Sequence, residues 1–535
     1  MIRITDLSLP LNHTEDELKQ AVLQILKLKA SDITNFSVFK RSYDARKKTD
    51  IVLIYTIDVE LKNVHEAWPK LSQLPKISRT PDTSYHFVSK ASGQNSTRPV
   101  VIGFGPCGLF AAFILAEMGY RPIVLERGKN VRERTKDTWG LWRKRELNPE
   151  SNVQFGEGGA GTFSDGKLYS QVKDPNHYGR KVLTEFVKAG APEEILYVSK
   201  PHIGTFRLVK MIEQMRHRIE ELGGEIRFQQ KVDSLEITNG KISGLHINNG
   251  DFLPATHVVL AIGHSARDTF EMIHEKGVYV EAKPFSIGFR IEHPQSVIDQ
   301  ARFGPNAGNK ILGAADYKLV HHASNGRSVY SFCMCPGGTV VAATSEPNRV
   351  VTNGMSQYSR NERNANAAIV VGISPSDYPE HPLAGIDFQR ALESKAFELG
   401  GENYSAPGQL IGDFLDGRES KEFGSVIPSY KPGVSLGNLH KALPDFAIKA
   451  IQEAIPAFDK KIRGFAMRDG LLTGVETRTS SPIRIKRDDR TLQSINTEGL
   501  FPAGEGAGYA GGIMSAGIDG IKVAEAVALS IEGKL

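Results

Sequence analysis

Hydrophobic and polar positions change period several times along the chain, and the changes divide it. Residues 2–7 (IRITDL) can be a strand. Thr14 stands three residues before Glu17, the spacing of a helix-capping box, and Leu18, Ala21, Val22, Ile25 and Leu26 then recur on one helical face. Residues 51–61 (IVLIYTIDVEL) are β-branched and apolar, which predicts a well-buried strand. These elements predict a small α+β domain over residues 1–90. Within it the basic run 41–48, RSYDARKK, is read as a solvated hairpin or loop, with a docking surface for an acidic partner as the other reading. Residues 76–99, rich in Ser, Thr and Pro, are read as a linker.

Beyond it, 100–102 predicts a buried strand, 107–118 a helix, 122–125 a second strand and 131–146 a charged helix bearing Trp139 and Trp142. Residues 208–222 show helical spacing. Residues 225–254 break into short strands around Asn239-Gly240 and Asn249-Gly250, the residue pairs that make tight hairpins. This predicts an antiparallel three-stranded excursion before a buried strand at 257–262. Strand patterns dominate 281–374, with a hairpin expected at Pro336-Gly337-Gly338; helical patterns return at 388–399, 439–455 and 513–531. The fold class that follows is α/β: a Rossmann-type dinucleotide-binding domain in two segments, 97–280 and 465–535, an inserted mainly-β substrate domain at 281–464, and the N-terminal α+β domain.

Composition narrows the picture. Hydrophobic residues are 40% and charged residues 24% of 535, which excludes a wholly disordered chain. Lys plus Arg is 66 and Asp plus Glu is 61, a net charge of +5, which demands neither nucleic acid nor an anionic membrane as partner. Three cysteines cannot build a disulfide framework, and the N-terminus has no basic start followed by an apolar core; a cytoplasmic protein is expected. Residues 99–116 carry no charge, but their glycines and proline predict a turn, not a membrane span.

That turn carries the chemistry. Gly103-x-Gly105-Pro106-Cys107-Gly108 is G-x-G-x-x-G directly after an apolar strand and opening a helix. The first glycine permits the turn, the second lets a pyrophosphate approach the backbone, and the third lets the helix pack on the strand. Helix amides and dipole then stabilise phosphate charge. Glu126, followed by Arg127, ends the next strand, where the fingerprint needs an acid for a ribose hydroxyl. The rest of the chain favours FAD over NAD. The excursion, with Val232 among its expected cofactor contacts, follows the fingerprint, and the 257–262 strand runs into Ala261-Ile262-Gly263. Near the C-terminus Gly504-Glu505 places an acid for a ribityl chain, and the helix opening at Gly512-Ile513 can face the flavin ring. This order resembles the glutathione-reductase-like FAD fold. The loop 155–168, with Gly159, Ala160, Gly161 and Lys167, is expected to lie along the diphosphate or the ring.

The segments 152–168, 282–295, 333–345, 353–368, 477–485 and the loop from Gly499 resemble a bacterial family of FAD-dependent dehydrogenases with no assigned substrate. The resemblance spans the chain, and it implies an FAD-dependent oxidoreductase moving hydride between flavin and a small molecule. Non-covalent FAD is expected. With a single dinucleotide fingerprint, a separately bound NAD(P)H or an electron-carrier protein would supply electrons. Arg290 as a carboxylate anchor and His293 as a proton donor are the expected catalytic pair; the alternative for them is a surface ion pair with Glu292. For Arg478 and Arg484 a place at the border of the pocket is the lesser reading, whereas His321-His322 is read as solvated or satisfied. Cys333-x-Cys335 is read as two small core or pocket-wall residues sharing one face of a strand, with a redox or thiolate role as the lesser reading. Too few cysteines are present for an iron–sulfur cluster, and no metal-site spacing occurs. Two other functions compete: a flavoprotein of tRNA modification, disfavoured by the weak net charge, and an FAD-containing redox sensor or docking protein.

Overall fold

A computed structural model describes residues 1–92 and 98–535. Residues 93–97 of the expected linker, with the expected start of the dinucleotide-binding segment at residue 97, lie outside the described residues.

The N-terminal unit is a four-stranded antiparallel sheet whose strands Ile33–Asp44, Val52–Leu61, Ile2–Pro10 and Ile77–Arg79 lie side by side in that order. Helix Glu15–Leu26 packs on it, opened by the expected capping box: Glu17 N donates to Thr14 Oγ1 at 3.2 Å and Thr14 N to Glu17 Oε2 at 2.7 Å. Two expectations change here. Ile77–Arg79 pairs with Ile2–Ile4, so the start of the expected linker belongs to the sheet. The basic run begins as strand, not solvated loop: Arg41 N donates to the Tyr197 carbonyl at 2.6 Å and Ser199 N to the Arg41 carbonyl at 2.9 Å. The Lys48 carbonyl accepts from Asn306 Nδ2 at 2.7 Å. The unit is thereby stitched to both larger parts of the molecule.

The second layer is a five-stranded parallel sheet with strands in the order Leu500–Pro502, Val258–Leu260, Val100–Ile102, Ile123–Glu126, Glu225–Phe228. Helix Pro106–Glu117 is buried on nearly every side, as its unbroken apolar sequence requires, and it crosses the last helix, Ile513–Ile531. Glycine makes the crossing possible: a Cβ on Gly520 would sit 2.3 Å from the Cys107 carbonyl oxygen. The excursion is three-stranded and antiparallel, but its strands are Val232–Thr238, Lys241–Ile247 and Asp251–Pro254. Glu225–Phe228 instead forms the edge of the parallel sheet.

The third layer is an eight-stranded, largely antiparallel sheet covered by helices Ala384–Leu399 and Asp445–Asp459. The second of these begins later than its pattern suggests, since Pro444 sets its start. Strand Leu471–Glu476 lies between Phe285–Pro294 and Ala406–Leu410. The cap therefore extends past the expected boundary at 464. No hairpin forms at Pro336-Gly337-Gly338; Ser328–Ala342 is one long strand that absorbs these residues as register shifts. Helix Val131–Lys144 braces the cap from the dinucleotide side, with Trp142 Nε1 donating to the Ala342 carbonyl at 2.9 Å. Among the described residues no helix is long and apolar enough to cross a membrane.

Candidate functional site

The parallel sheet, the Gly-rich loop and one edge of the cap enclose a cleft of about 350 Å³. It opens where strands Val100–Ile102 and Val258–Leu260 deliver their C-terminal ends, the position at which open α/β sheets hold ligands.

The fingerprint turn forms its floor. Gly103 has φ +95°, and a Cβ there would lie 2.4 Å from the Ala261 carbonyl oxygen. A Cβ on Gly108 would lie 1.9 Å from the Gly103 carbonyl oxygen. Both glycines are thus required by the protein's own packing. Gly105 is different: its backbone is unstrained (φ −76°), and the nearest atom to an added Cβ is Gly159 Cα at 3.6 Å. What a side chain at Gly105 would fill is the cleft itself. The first-turn amides of the following helix have no intrahelical acceptor and are positioned for an anion.

Glu126 holds the floor to its walls. Its Oε2 accepts from Phe104 N at 2.9 Å, and its Oε1 accepts from Gly128 N at 2.8 Å and Gly156 N at 2.9 Å. A carboxylate offers about four acceptor sites, so one remains for a ligand hydroxyl. Arg127 lies over the Phe155 ring at 4.1 Å and is fixed by Glu150 and Asp268, each at 2.8 Å. Gly159, Ala160 and Gly161 continue that wall, whose backbone departs from regular structure at Gly158 and Gly159, both at positive φ. Val232, Ala261, Gly263, Gly512 and Ile513 complete it, and added Cβ atoms on Gly263 and Gly512 would meet nothing within 4 Å.

Of the residues expected at a cofactor, all but Gly108 and Gly504 line this cleft. Gly108 carries the helix–strand contact. Gly504 packs behind the wall, where a Cβ would come within 2.8 Å of Cys107 Cβ, and its N–H donates to Asp519 at 2.7 Å. Glu505 does face the cleft. Burial pushes its carboxyl up to about 7, partly offset by Lys283.

The expected catalytic pair is not in the cleft. Arg290 is fully buried in the cap and all its N–H groups are engaged. Its Nε and one terminal nitrogen hold Glu476 at 2.8 and 3.2 Å, while the remaining bonds go to Asn353, Asn366 and the Cys333 carbonyl. No donor is left for a substrate carboxylate. His293 is also fully buried; its Nε2 lies 2.7 Å from the Phe465 carbonyl, and burial pushes its pKa down to about 4. It lies away from the lining residues and cannot hand a proton to a substrate there. Nor do the two pair with Glu292, which is buried and bonded to Asn364 and Ser429. Arg478 borders the cleft, whereas Arg484 does not. His321 pairs with Glu453 at 2.9 Å, outside it.

The cap supplies residues that the sequence reading did not select. Glu476, which Arg290 braces, lines the cleft together with Asn353 and Phe332, beside Cys333 of the expected pocket wall, and burial raises its carboxyl to about 7 against the arginine. His264 is there too, its pKa pushed down to about 3 by burial and by Arg478 and Arg267, so its imidazole is neutral. Lys167 crosses to the cap, pairing with Asp165 at 2.7 Å and donating to the Met334 carbonyl. Asp165 also binds Arg360 at 2.6 Å. Burial works against both charges, but the pairing outweighs it: the carboxyl stays below, and the ammonium above, its usual range.

Comparison with known proteins gives two family matches. Residues 284–479 match the family described as "FAD-dependent protein, C-terminal domain-like", and residues 1–60 match a domain of unknown function (DUF8436). A protein of Clostridium beijerinckii, described as uncharacterized, is 47% identical over 526 residues, covering 98% of both chains. Among solved structures, L-amino acid deaminase from Proteus myxofaciens in complex with anthranilate is 12% identical, with 84% of this chain and 93% of that one covered and a TM-score of 0.33. L-proline dehydrogenase from P. horikoshii is 14% identical, with 84% and 95% covered and a TM-score of 0.34. Similarity at that level assigns neither fold nor substrate.

Proposed function

This chain belongs to the same family as the uncharacterized Clostridium beijerinckii protein, and we propose that it is an FAD-dependent oxidoreductase of the glutathione-reductase-like type. It would hold its dinucleotide without a covalent link and act on a small molecule admitted beneath the cap. The observation that carries the reading is Gly105, the one fingerprint glycine whose missing side chain leaves room for a ligand instead of for the protein. The family description of residues 284–479 agrees with it.

Bound FAD would supply hydride or single-electron chemistry; the chain's residues bind, orient and shield it. The Gly105 turn and the first amides of helix Pro106–Glu117 would take the diphosphate, and Glu126 a ribose hydroxyl. Glu505, with no hydrogen-bond partner for its carboxyl among the described residues, would accept from the ribityl chain. The opening of helix Ile513–Ile531 would face the ring. From the cap side Glu476, Asn353 and Phe332 close the cleft over the reacting face, with Glu476 near neutrality as a group that can hold or release a proton. Arg290 positions that carboxyl and touches no substrate. Electrons would arrive from a separately bound NAD(P)H or a carrier protein.

The visible spectrum of the purified protein tests this reading. A flavin spectrum, with FAD freed into solution by heat, is the expected result. A colourless protein that takes up no added FAD would overturn it.

A further inference from the structure

The Cys-Met-Cys tripeptide at residues 333–335 has a geometry that small wall residues do not need. Strand Ser328–Ala342 slips register between Phe332 and Cys335 and again between Cys335 and Gly338. At the first slip Cys333 adopts φ +41°, a left-handed conformation disfavoured for any residue with a Cβ and concentrated at functional sites. Cys333 is half-buried and lines the cleft, whereas Cys335 is 0% exposed and lies behind it. Three contacts clamp the bend: Cys335 Sγ donates to the Cys333 carbonyl at 3.3 Å, Arg290 donates to the same oxygen at 2.9 Å, and Lys167 donates to the Met334 carbonyl between them.

We infer that Cys333 and Cys335 form a redox-active dithiol that relays electrons between the flavin and a disulfide substrate. This rests on the reading of the cleft as an FAD site. The two sulfurs have unequal roles because one is accessible and the other is enclosed. The neighbouring Cys335 side chain, with the charges of Lys167 and Arg290, holds the Cys333 thiol well below the ordinary range, against burial and Asp165. The Cys335 thiol is held above it. Cys333 is then the thiolate that attacks: it forms a bond to one sulfur of the substrate disulfide and expels the other as a thiolate. Cys335 gives up its proton, attacks the Cys333 sulfur and releases the second substrate thiolate, leaving a Cys333–Cys335 disulfide. Bound FAD, when reduced, would supply the two electrons and two protons that return Cys333–Cys335 to the dithiol. The net change is one disulfide and reduced flavin converted to two thiols and oxidised flavin.

The test uses the flavin-loaded protein and its Cys333→Ser and Cys335→Ser variants, each first checked for an unchanged flavin spectrum. The protein is treated with 4,4′-dithiodipyridine, freed of excess reagent, denatured in iodoacetamide and weighed by mass spectrometry. Of its three cysteines, the reduced wild type should take three adducts and the oxidised wild type one, on Cys107. Cys335→Ser should instead retain a pyridyl disulfide on Cys333. Anaerobic photoreduction of the flavin before denaturation should restore two adducts to the oxidised wild type. If three adducts persist, if the disulfide involves Cys107 or a second chain, or if photoreduced flavin leaves Cys333–Cys335 oxidised, the inference is overturned while the FAD site stands. A colourless protein would remove the FAD reading itself, and the relay with it.

Discussion

Glu505 is an acid held where water is scarce, and its cost is visible in its titration. In the unfolded chain its carboxyl titrates near 4.5; in the folded, ligand-free protein burial moves it to about 7. The folded state therefore binds a proton that the unfolded state releases across that interval, and stability falls as pH rises through it. The contribution is fully present below about 4.5 and lost above about 7. Glu505→Gln removes the titration. The expected result for ligand-free protein is that the variant matches wild type at pH 5 and has the higher urea midpoint at pH 8. A difference that does not change with pH would remove Glu505 as its source. The position of this acid is legible in the sequence because glycines frame it after a strand. Glu476 is not, since its strand reads like any buried strand. Arg290 shows the complementary limit: its charge is plain, but the carboxylate that consumes it stands 186 residues away.

The strand–turn–helix at 100–117 was legible as an element because each of its glycines has a separate physical reason, and the structure lets those reasons be separated. Gly108→Ala drives a methyl group to 1.9 Å from a backbone carbonyl oxygen that cannot move without breaking the turn. Overpacking of this kind costs about 2 kcal/mol or more. Gly105→Ala meets nothing closer than 3.6 Å. The expected outcome is that Gly108→Ala lowers the urea midpoint strongly. Gly105→Ala should melt like wild type when both are stripped of FAD, yet fail to take up added FAD in a fluorescence titration. Normal uptake by Gly105→Ala would move the diphosphate away from this turn. Other elements were less visible. The N-cap residues of helices Tyr178–Lys188, Arg267–Glu275 and Gln295–Phe303, which are His177, Ala266 and Pro294, make no side-chain cap bond, so their usual start signals are missing. Glu225–Phe228 carries a charged residue at alternate positions and looks like part of the excursion; only its edge place beside Ile123–Glu126 makes it parallel.

At the scale of the whole molecule, the cleft exists because the cap is held against the parallel sheet, and one buried carboxylate does much of the holding. Glu393, 0% exposed on helix Ala384–Leu399 of the cap, accepts from Arg267 at 2.7 and 2.9 Å and from Arg478 at 3.0 and 3.2 Å. Arg267 opens a helix on the dinucleotide side. Arg478 lies on the segment by which the chain returns from the cap, and it reaches Ser265 and Ser345 as well. The sequence places these three residues in different segments and gives no sign that they meet, which is why the expected domain boundary fell short of strand Leu471–Glu476. Breaking a buried ionic cluster by removing one member costs about 3–5 kcal/mol, because the remaining charges keep their desolvation and lose their partner. Glu393→Gln is accordingly expected to lower the unfolding free energy by about that amount and to weaken FAD uptake, since Arg478 lines the cleft. The same physics makes the second substitution partly compensating: with Arg267→Met added, one stranded guanidinium is gone, and the double variant should be more stable than Glu393→Gln alone. Urea denaturation of the two single variants and the double variant reads this directly. Strictly additive losses would mean that Glu393 and Arg267 do not act as a unit, and that packing rather than this cluster closes the cap over the cleft.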